Sequence, residues 1–341
     1  MRRVNLPLLF LLAPLMLSGC AEIAAIEARF YGDPPPPPVT TPLPQRIYAA
    51  NESGNTVSVI DAQTFQPVAT IDAKNVSTHD LALSRDGNRL YATNLASGRL
   101  SVIDTRALET IASIYTGARC HVVALTHDNH YAWVANIGDN TVSIVDTATY
   151  RVVGTIATGK GPTGLVFSRD GNFAYVSNQG DKAVAVVDTA SLKVIKTIPV
   201  GENPHFLTLG PDGRIWGSNS GGKDIYVIDP ASQTKVATLE VGANPQQIAF
   251  AYKGIVGPNA YVTLSGADQI AVVSTDPGNL RVLERIPAGQ KPNGIWANPE
   301  GTRLYVGHEV GNDLRVYDSG THALLHTVPL GKKPIRVVVS R

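Results

Sequence analysis

Apolar and polar residues alternate along this chain in short bursts, without the longer rhythm of an amphipathic helix. From residue 46 onward, runs of five to eight mostly β-branched or aromatic residues, such as GLVFS, FAYVSN, AVAVVD and KVIKTIPV, are separated by the turn-forming stretches RDGN, QGDK and TASL. Each run suits a strand, and each break suits a hairpin in which Gly supplies positive φ and Asp or Asn caps nearby amides. The bursts also recur. SRDGNRLYATN at Ser84–Asn94 returns as SRDGNFAYVSN at Ser168–Asn178, with variants at Thr126–Asn136, Gly210–Asn219 and Asn298–His308. A second phrase follows each copy, as in TVSVIDAQTFQPVATI and RLSVIDTRALETIASI. Its aspartates Asp61, Asp104, Asp146, Asp188 and Asp229 fall 43, 42, 42 and 41 residues apart, and Asp318 ends the series after a longer copy. A fixed period of this size marks stacked supersecondary units, and four strands per period is a propeller blade.

Counting the copies predicts how the ring closes. Six complete units run from about Val76 to Leu330, while the chain enters at Arg46 with strands two to four only and ends in GKKPIRVVVSR with strand one only. The expected fold is therefore an all-β, seven-bladed β-propeller of four-stranded antiparallel blades. Its seventh blade is composite, with Ile335–Ser340 pairing beside Arg46–Ala50, which removes the raw edges of an open ring.

The chain before residue 44 reads differently. MRRVNLPLLFLLAPLMLSGC has a basic start, an apolar run too short for a membrane span, and Leu17-Ser18-Gly19-Cys20. It resembles a bacterial lipoprotein signal, which implies cleavage before Cys20 and lipid on that residue. Ala21 in place of aspartate favours the outer membrane in the sorting pattern of many Gram-negative bacteria. Pro34–Pro38 cannot join a sheet or helix and reads as a semi-rigid spacer or as a low-complexity stretch with no further role. The expected organisation is a signal at 1–19, lipidated Cys20 with a Pro-rich linker to 43, and a propeller at 44–341.

Charge and cysteine content narrow the function. The formal charge is +1, and it becomes −1 once Arg2 and Arg3 are removed, so no basic patch asks for nucleic acid. With Cys20 lipidated, Cys120 is the one thiol left, which excludes an internal disulfide, and no CxxCH motif is present for c-type haem.

The phrases FAYVSN, RLYATN, AWVAN and RLYVGH, followed by TVSIVDT and GxxP, resemble the YVTN family of seven-bladed propellers over essentially all of 44–341. That family includes binding, surface and scaffold proteins, and its relatives include d1-haem propellers and lactonase-like enzymes. The resemblance thus implies a fold and leaves activity open.

Several motifs dissolve into the repeat. Gly159–Gly164 fits GxGxxG, yet it is the GxxP blade junction seen again at Gly201–Pro204, Gly242–Pro245, Gly289–Pro292 and Gly331–Pro334. Asp86, Asp128, Asp170 and Asp212 occupy equivalent hairpins, where turn chemistry accounts for them. Departures from the repeat say more. The position after the junction proline, at one mouth of the central channel, reads His79, His121, Thr163, His205, Gln246, Asn293 and Ile335 round the ring. The next position reads Asp80, Val122, Gly164, Phe206, Gln247, Gly294 and Arg336, and strand two ends in Asn in five blades, Leu264 in one and His308 in another.

From these positions His79, Asp80, His121, His205, Gln247, His308 and Arg336 are the candidate ligand-binding residues, with His79, His121 and His205 as candidate metal ligands. The competing reading is a set of polar groups lining a wet channel. Cys120 beside His121 adds either a soft ligand or a small buried hydrophobe. The favoured expectation is a lipid-anchored periplasmic propeller that binds a partner protein or small ligand without chemistry of its own. One alternative is a d1-haem or transition-metal binding or assembly protein using His79, His121, His205 or His308. A further alternative is a lactonase-like hydrolase, set lower because Asp80 is the one acidic residue in the two channel rings and such enzymes use carboxylate-rich metal centres.

Overall fold

Seven sheets of four antiparallel strands stand round a common axis in the computed structural model, which describes residues 43–253 and 256–340. The expected signal, Cys20 and nearly all of the linker lie outside the described residues. The inner strands are Thr78–Leu83, Cys120–Leu125, Pro162–Phe167, Pro204–Leu209, Pro245–Lys253, Pro292–Ala297 and Pro334–Val339, and each packs against the next to close the ring. Burial falls from axis to rim: Pro334–Val339 is buried throughout, whereas an outer strand such as Lys193–Pro199 buries little beyond Ile198.

The core lies between blades. Val122, Trp133, Ile144 and Ile156 of one blade pack with Leu165, Phe167, Ala174 and Val176 of the next. Burial of each large aliphatic side chain stabilises by about 1.5–3 kcal/mol, so every interface holds both its blades.

Closure follows the expected scheme. The sheet order places Pro334–Val339 beside Arg46–Asn51, then Thr56–Asp61 and Pro67–Asp72, with Ile47 opposite Val339 and Ala49 opposite Val337. The Ser340 amide donates to the Arg46 carbonyl at 2.9 Å, and the Arg46 amide donates to Ser340 Oγ at 2.7 Å.

Turn chemistry also explains the repeated aspartates. Asp86 Oδ1 accepts from Ser84 Oγ at 2.6 Å and from the Asn88 amide at 3.1 Å, and Asp61 Oδ1 accepts from the amides of Gln63 and Thr64. In the longer copy, pairing continues outward through Tyr252 opposite Pro258 to Lys253 opposite Val256.

The blade junctions position the channel residues. Asn178, at the end of a second strand, donates through Nδ2 to the Thr158 carbonyl at 2.9 Å. Gly159 passes beneath it at φ +139°, where a Cβ would stand 2.6 Å from that same Nδ2. The residue preceding each inner strand is left-handed, at Ser77, Arg119, Gly161, Asn203, Asn244, Lys291 and Lys333. Every inner strand then opens with a bulge, so that two residues oppose one on strand two. The bulge turns successive side chains toward the axis.

Candidate functional site

The first of the two bulge residues line a polar cavity of about 190 Å³ at one mouth of the channel. His79, His121 and His205 meet there. Ring centroids of His79 and His121 are 4.1 Å apart with planes tilted by 43°, and His205 meets His121 edge-on at 5.3 Å. His121 Nδ1 donates to the Thr163 carbonyl at 2.8 Å; a carbonyl can only accept, so Nδ1 carries the proton and Nε2 presents its lone pair to the cavity. Burial disfavours the charged form of all three. The pKa of His79 falls to about 3 and that of His205 to about 4, and His121 lies well below its ordinary value, lowered by burial and by the neighbouring imidazoles. Three neutral imidazoles therefore share the cavity at neutral pH.

Beneath them a charged bridge crosses the channel. Arg336 Nε lies 2.9 Å from Asp80 Oδ1, and Arg336 Nη1 donates to Gln247 Oε1 at 2.8 Å. Asp80 Oδ2 also accepts from the Val123 amide at 3.0 Å, and Gln247 Nε2 donates to the Ile335 carbonyl at 3.1 Å. The guanidinium stacks between Phe206 and Trp296, 5.2 and 5.4 Å from the ring centroids. Burial raises the Asp80 pKa while Arg336 opposes that rise. This bridge forms a floor, since the cavity lining includes Asp80 and Gln247 but stops short of Arg336.

The rim carries residues that the sequence reading missed. Glu52 Oε2 pairs with Lys333 Nζ at 2.7 Å, and Glu309 accepts from Asn293 Nδ2 at 2.7 Å and pairs with Lys291 Nζ at 3.0 Å. Glu52, Glu309 and Lys333 line the cavity. A signal for them was present: the residue after strand two reads Glu52, Leu95, Ile137, Gln179, Ser220, Ser265 and Glu309, and the acidic copies are the two that reach the mouth.

Two expected participants lie elsewhere. His308 is fully buried within the blade junction, where Nε2 accepts from the Gly289 amide at 3.0 Å and Nδ1 lies 2.8 Å from Asp313 Oδ1. It takes over the bridging role of the repeated asparagine, so it does not contact a ligand at the mouth. Cys120 is also fully buried and directs its thiol to the carbonyls of Asn94 and Arg99, each at 3.3 Å; burial pushes the thiol up to about 11. It is a packing residue rather than a soft ligand. The metal expectation finds no support in the geometry either: the His79 and His121 rings pack against each other at 4.1 Å with planes tilted by 43°. Among the described residues no group of three or more His, Cys, Asp or Glu is arranged to hold a metal ion. A haem does not fit either, since pockets for drug-sized ligands span about 300–1,000 Å³ and a haem is larger than such ligands.

A seven-bladed propeller with a polar, sugar-sized cavity at one channel mouth defines the class. Residues 36–337 match the family described as "Lactonase, 7-bladed beta-propeller", and the chain belongs to that family. None of the curated proteins matches the chain significantly. Among solved structures, the chain is similar to the periplasmic gluconolactonase of Pseudomonas aeruginosa, with 17% identity over 87% of this chain and 99% of that one and a TM-score of 0.71. A candidate 6-phosphogluconolactonase from Bacteroides uniformis shares 15% identity over 87% and 100%, with a TM-score of 0.74. Hydrazine synthase of Kuenenia stuttgartiensis shares 20% over 77% and 95%, with a TM-score of 0.68. At these identities the likenesses establish the fold.

Proposed function

We propose that the protein hydrolyses a lactone at the channel mouth. The observation that carries this reading is the His121 imidazole, which burial keeps neutral, which Thr163 fixes in the tautomer that leaves Nε2 as acceptor, and which lines a sugar-sized cavity. Membership of the lactonase family and the likeness to a gluconolactonase favour hydrolysis over binding alone. Asp80 is not the one carboxylate at this mouth, since Glu52 and Glu309 also line the cavity.

In this reading Nε2 of His121 accepts a hydrogen bond from a water that attacks the lactone carbonyl. The imidazole takes the water's proton as the tetrahedral oxyanion forms. Collapse then breaks the ring C–O bond, and the proton passes to the departing alkoxide, giving a hydroxy acid with no net proton consumed at His121. Glu309 acts electrostatically on His79 and His205, favouring positive charge in the imidazole cluster, and the Lys333 ammonium acts on His79 from the same rim.

The test is lactone opening by the purified full-length chain, followed by acid release against the rate in buffer. A general base of this kind contributes about 10²–10⁴-fold, so His121→Ala is expected to lower kcat/KM by that order with melting nearly unchanged. Wild-type rates equal to buffer, or a His121→Ala variant at full rate, would overturn the reading.

We also propose that this chemistry takes place in the cell envelope, with the chain held at the membrane through lipid on Cys20. The sequence Leu17-Ser18-Gly19-Cys20 supports that location, as does the likeness to a gluconolactonase described as periplasmic.

A further inference from the structure

The charged groups of the cavity are arranged in a way that hydrolysis alone does not require. Lys333 is held by Glu52 at 2.7 Å, Lys291 by Glu309 at 3.0 Å and Arg336 by Asp80 at 2.9 Å. Of these cations only Lys333 is part of the lining, against the carboxylates of Glu52, Asp80 and Glu309. Lys332 and Arg119 are exposed outside the lining, and the Arg119 charge acts on the lining through His121, whose protonation it disfavours. Backbone amides at the blade junctions, the other usual holders of an anion, are engaged as well: the Lys333 amide donates to Asn312 Oδ1 at 2.7 Å, the Lys291 amide to Asp268 Oδ1 at 2.8 Å and the Gly161 amide to Asn140 Oδ1 at 2.9 Å. What remains open to a ligand is mostly acceptor capacity: the second lone pairs of the Glu52 and Glu309 carboxylate oxygens, each of which already has one partner, and imidazole nitrogens. Amide side chains of Gln246, Gln247 and Asn293 stand among them.

We infer that the site selects an uncharged polyhydroxy lactone and rejects its phosphorylated counterpart, because every cation lining or underlying the cavity is already matched by a carboxylate. The inference rests on the lactone hydrolase reading and adds the charge of its substrate. Hydroxyl groups donate to the remaining lone pairs of these acceptors, while a phosphate dianion finds two rim carboxylates and no unpaired cation in the lining. The same balance helps turnover. Hydrolysis converts an uncharged ring into a carboxylate, and the product then finds no unpaired cation in the lining to hold it.

The full-length chain is assayed with glucono-1,5-lactone and with its 6-phosphate, each corrected for spontaneous opening at the same pH. The expected result is a kcat/KM at least about tenfold higher for the uncharged lactone, a margin equal to about 1.4 kcal/mol. Preference for the phosphate ester overturns the charge inference and leaves the hydrolase reading intact. If neither lactone opens faster than in buffer, the hydrolase reading fails, and calorimetry with the stable polyols glucitol and glucitol 6-phosphate decides the charge question. Tighter glucitol binding supports it, and tighter phosphate binding, or no binding of either, overturns it. Glu52→Gln supplies the complementary arm. Release of Lys333 from its carboxylate is expected to shift the preference toward the phosphorylated ligand severalfold, and an unchanged ratio would show that ion pairing does not set the selectivity.

Discussion

Three buried neutral imidazoles cost the fold something at acid pH. In the unfolded chain each histidine titrates near 6.5, while in the fold His79 holds off protonation to about 3 and His205 to about 4. Between those limits the unfolded state binds more protons, so stability falls as pH drops below about 6.5 and is unaffected by these groups above it. A histidine kept wholly unprotonated contributes about 2 kcal/mol of this loss by pH 5. The hairpin aspartates act in a lower window, since their pKa values are held below 3.8 by turn hydrogen bonds, as at Asp61 and Asp188. Melting of the wild type is therefore expected to fall by several degrees between pH 6.5 and pH 5, and by a few degrees less in His79→Gln. Parallel melting curves for the two proteins would show that His79 titrates normally. At this scale the sequence was informative where a residue departed from the repeat and faced the axis, as His79, His121, His205, Asp80, Gln247 and Arg336 do. It misled at His308, whose departure served the scaffold: an imidazole there performs an asparagine's bridging task, and a lone letter does not reveal which way its side chain turns.

Strands and turns were the most legible level, because alternation, Asp-Gly hairpins and the composite ends each report local chemistry that the fold obeys. The bulge at the head of every inner strand was not legible. It arises when the junction forces the chain through a left-handed residue before pairing begins, and no residue type announces it: Thr78, Cys120 and Pro162 open three equivalent bulges. Yet the bulge makes adjacent residues face the axis together, which in a regular strand would point to opposite sides. The tail strand is tested by deletion of residues 334–341. That change removes the buried Val337 and Val338, exposes the edges of Arg46–Asn51 and its neighbours, and leaves Asp80 buried without Arg336. Loss of one partner of a buried ion pair alone costs about 3–5 kcal/mol. Aggregation, or an unfolding curve without a cooperative transition, is the expected outcome on urea titration. A soluble truncation with the wild-type midpoint would mean that the tail does not carry the ring.

Over the whole molecule, the position of the ends gives the site a direction. Each second strand ends at the cavity mouth, as Asn51 and its neighbour Glu52 do, so its first residue lies toward the opposite face. The described chain begins there. Arg46 opens its strand at that far face, and Leu43 sits beside the Gly87 hairpin, where a Cβ on the glycine would lie 3.5 Å from Leu43 Cδ1. Leu43, the first described residue, therefore lies on the face of the ring away from the cavity. Anchoring and catalysis are then separable. In cells fed a fatty-acid analogue, wild-type chain is expected to take up label and to require detergent for extraction, whereas Cys20→Ala takes up none. Membranes bearing the wild type should open lactone with the same KM as the detergent-extracted chain, since the preceding chain meets the ring at Leu43 and not at the cavity mouth. Equal labelling of the two proteins would remove Cys20 as the anchor. Labelling confined to wild type, with a KM that drops sharply on extraction, would keep the anchor and show that attachment restricts access to the mouth.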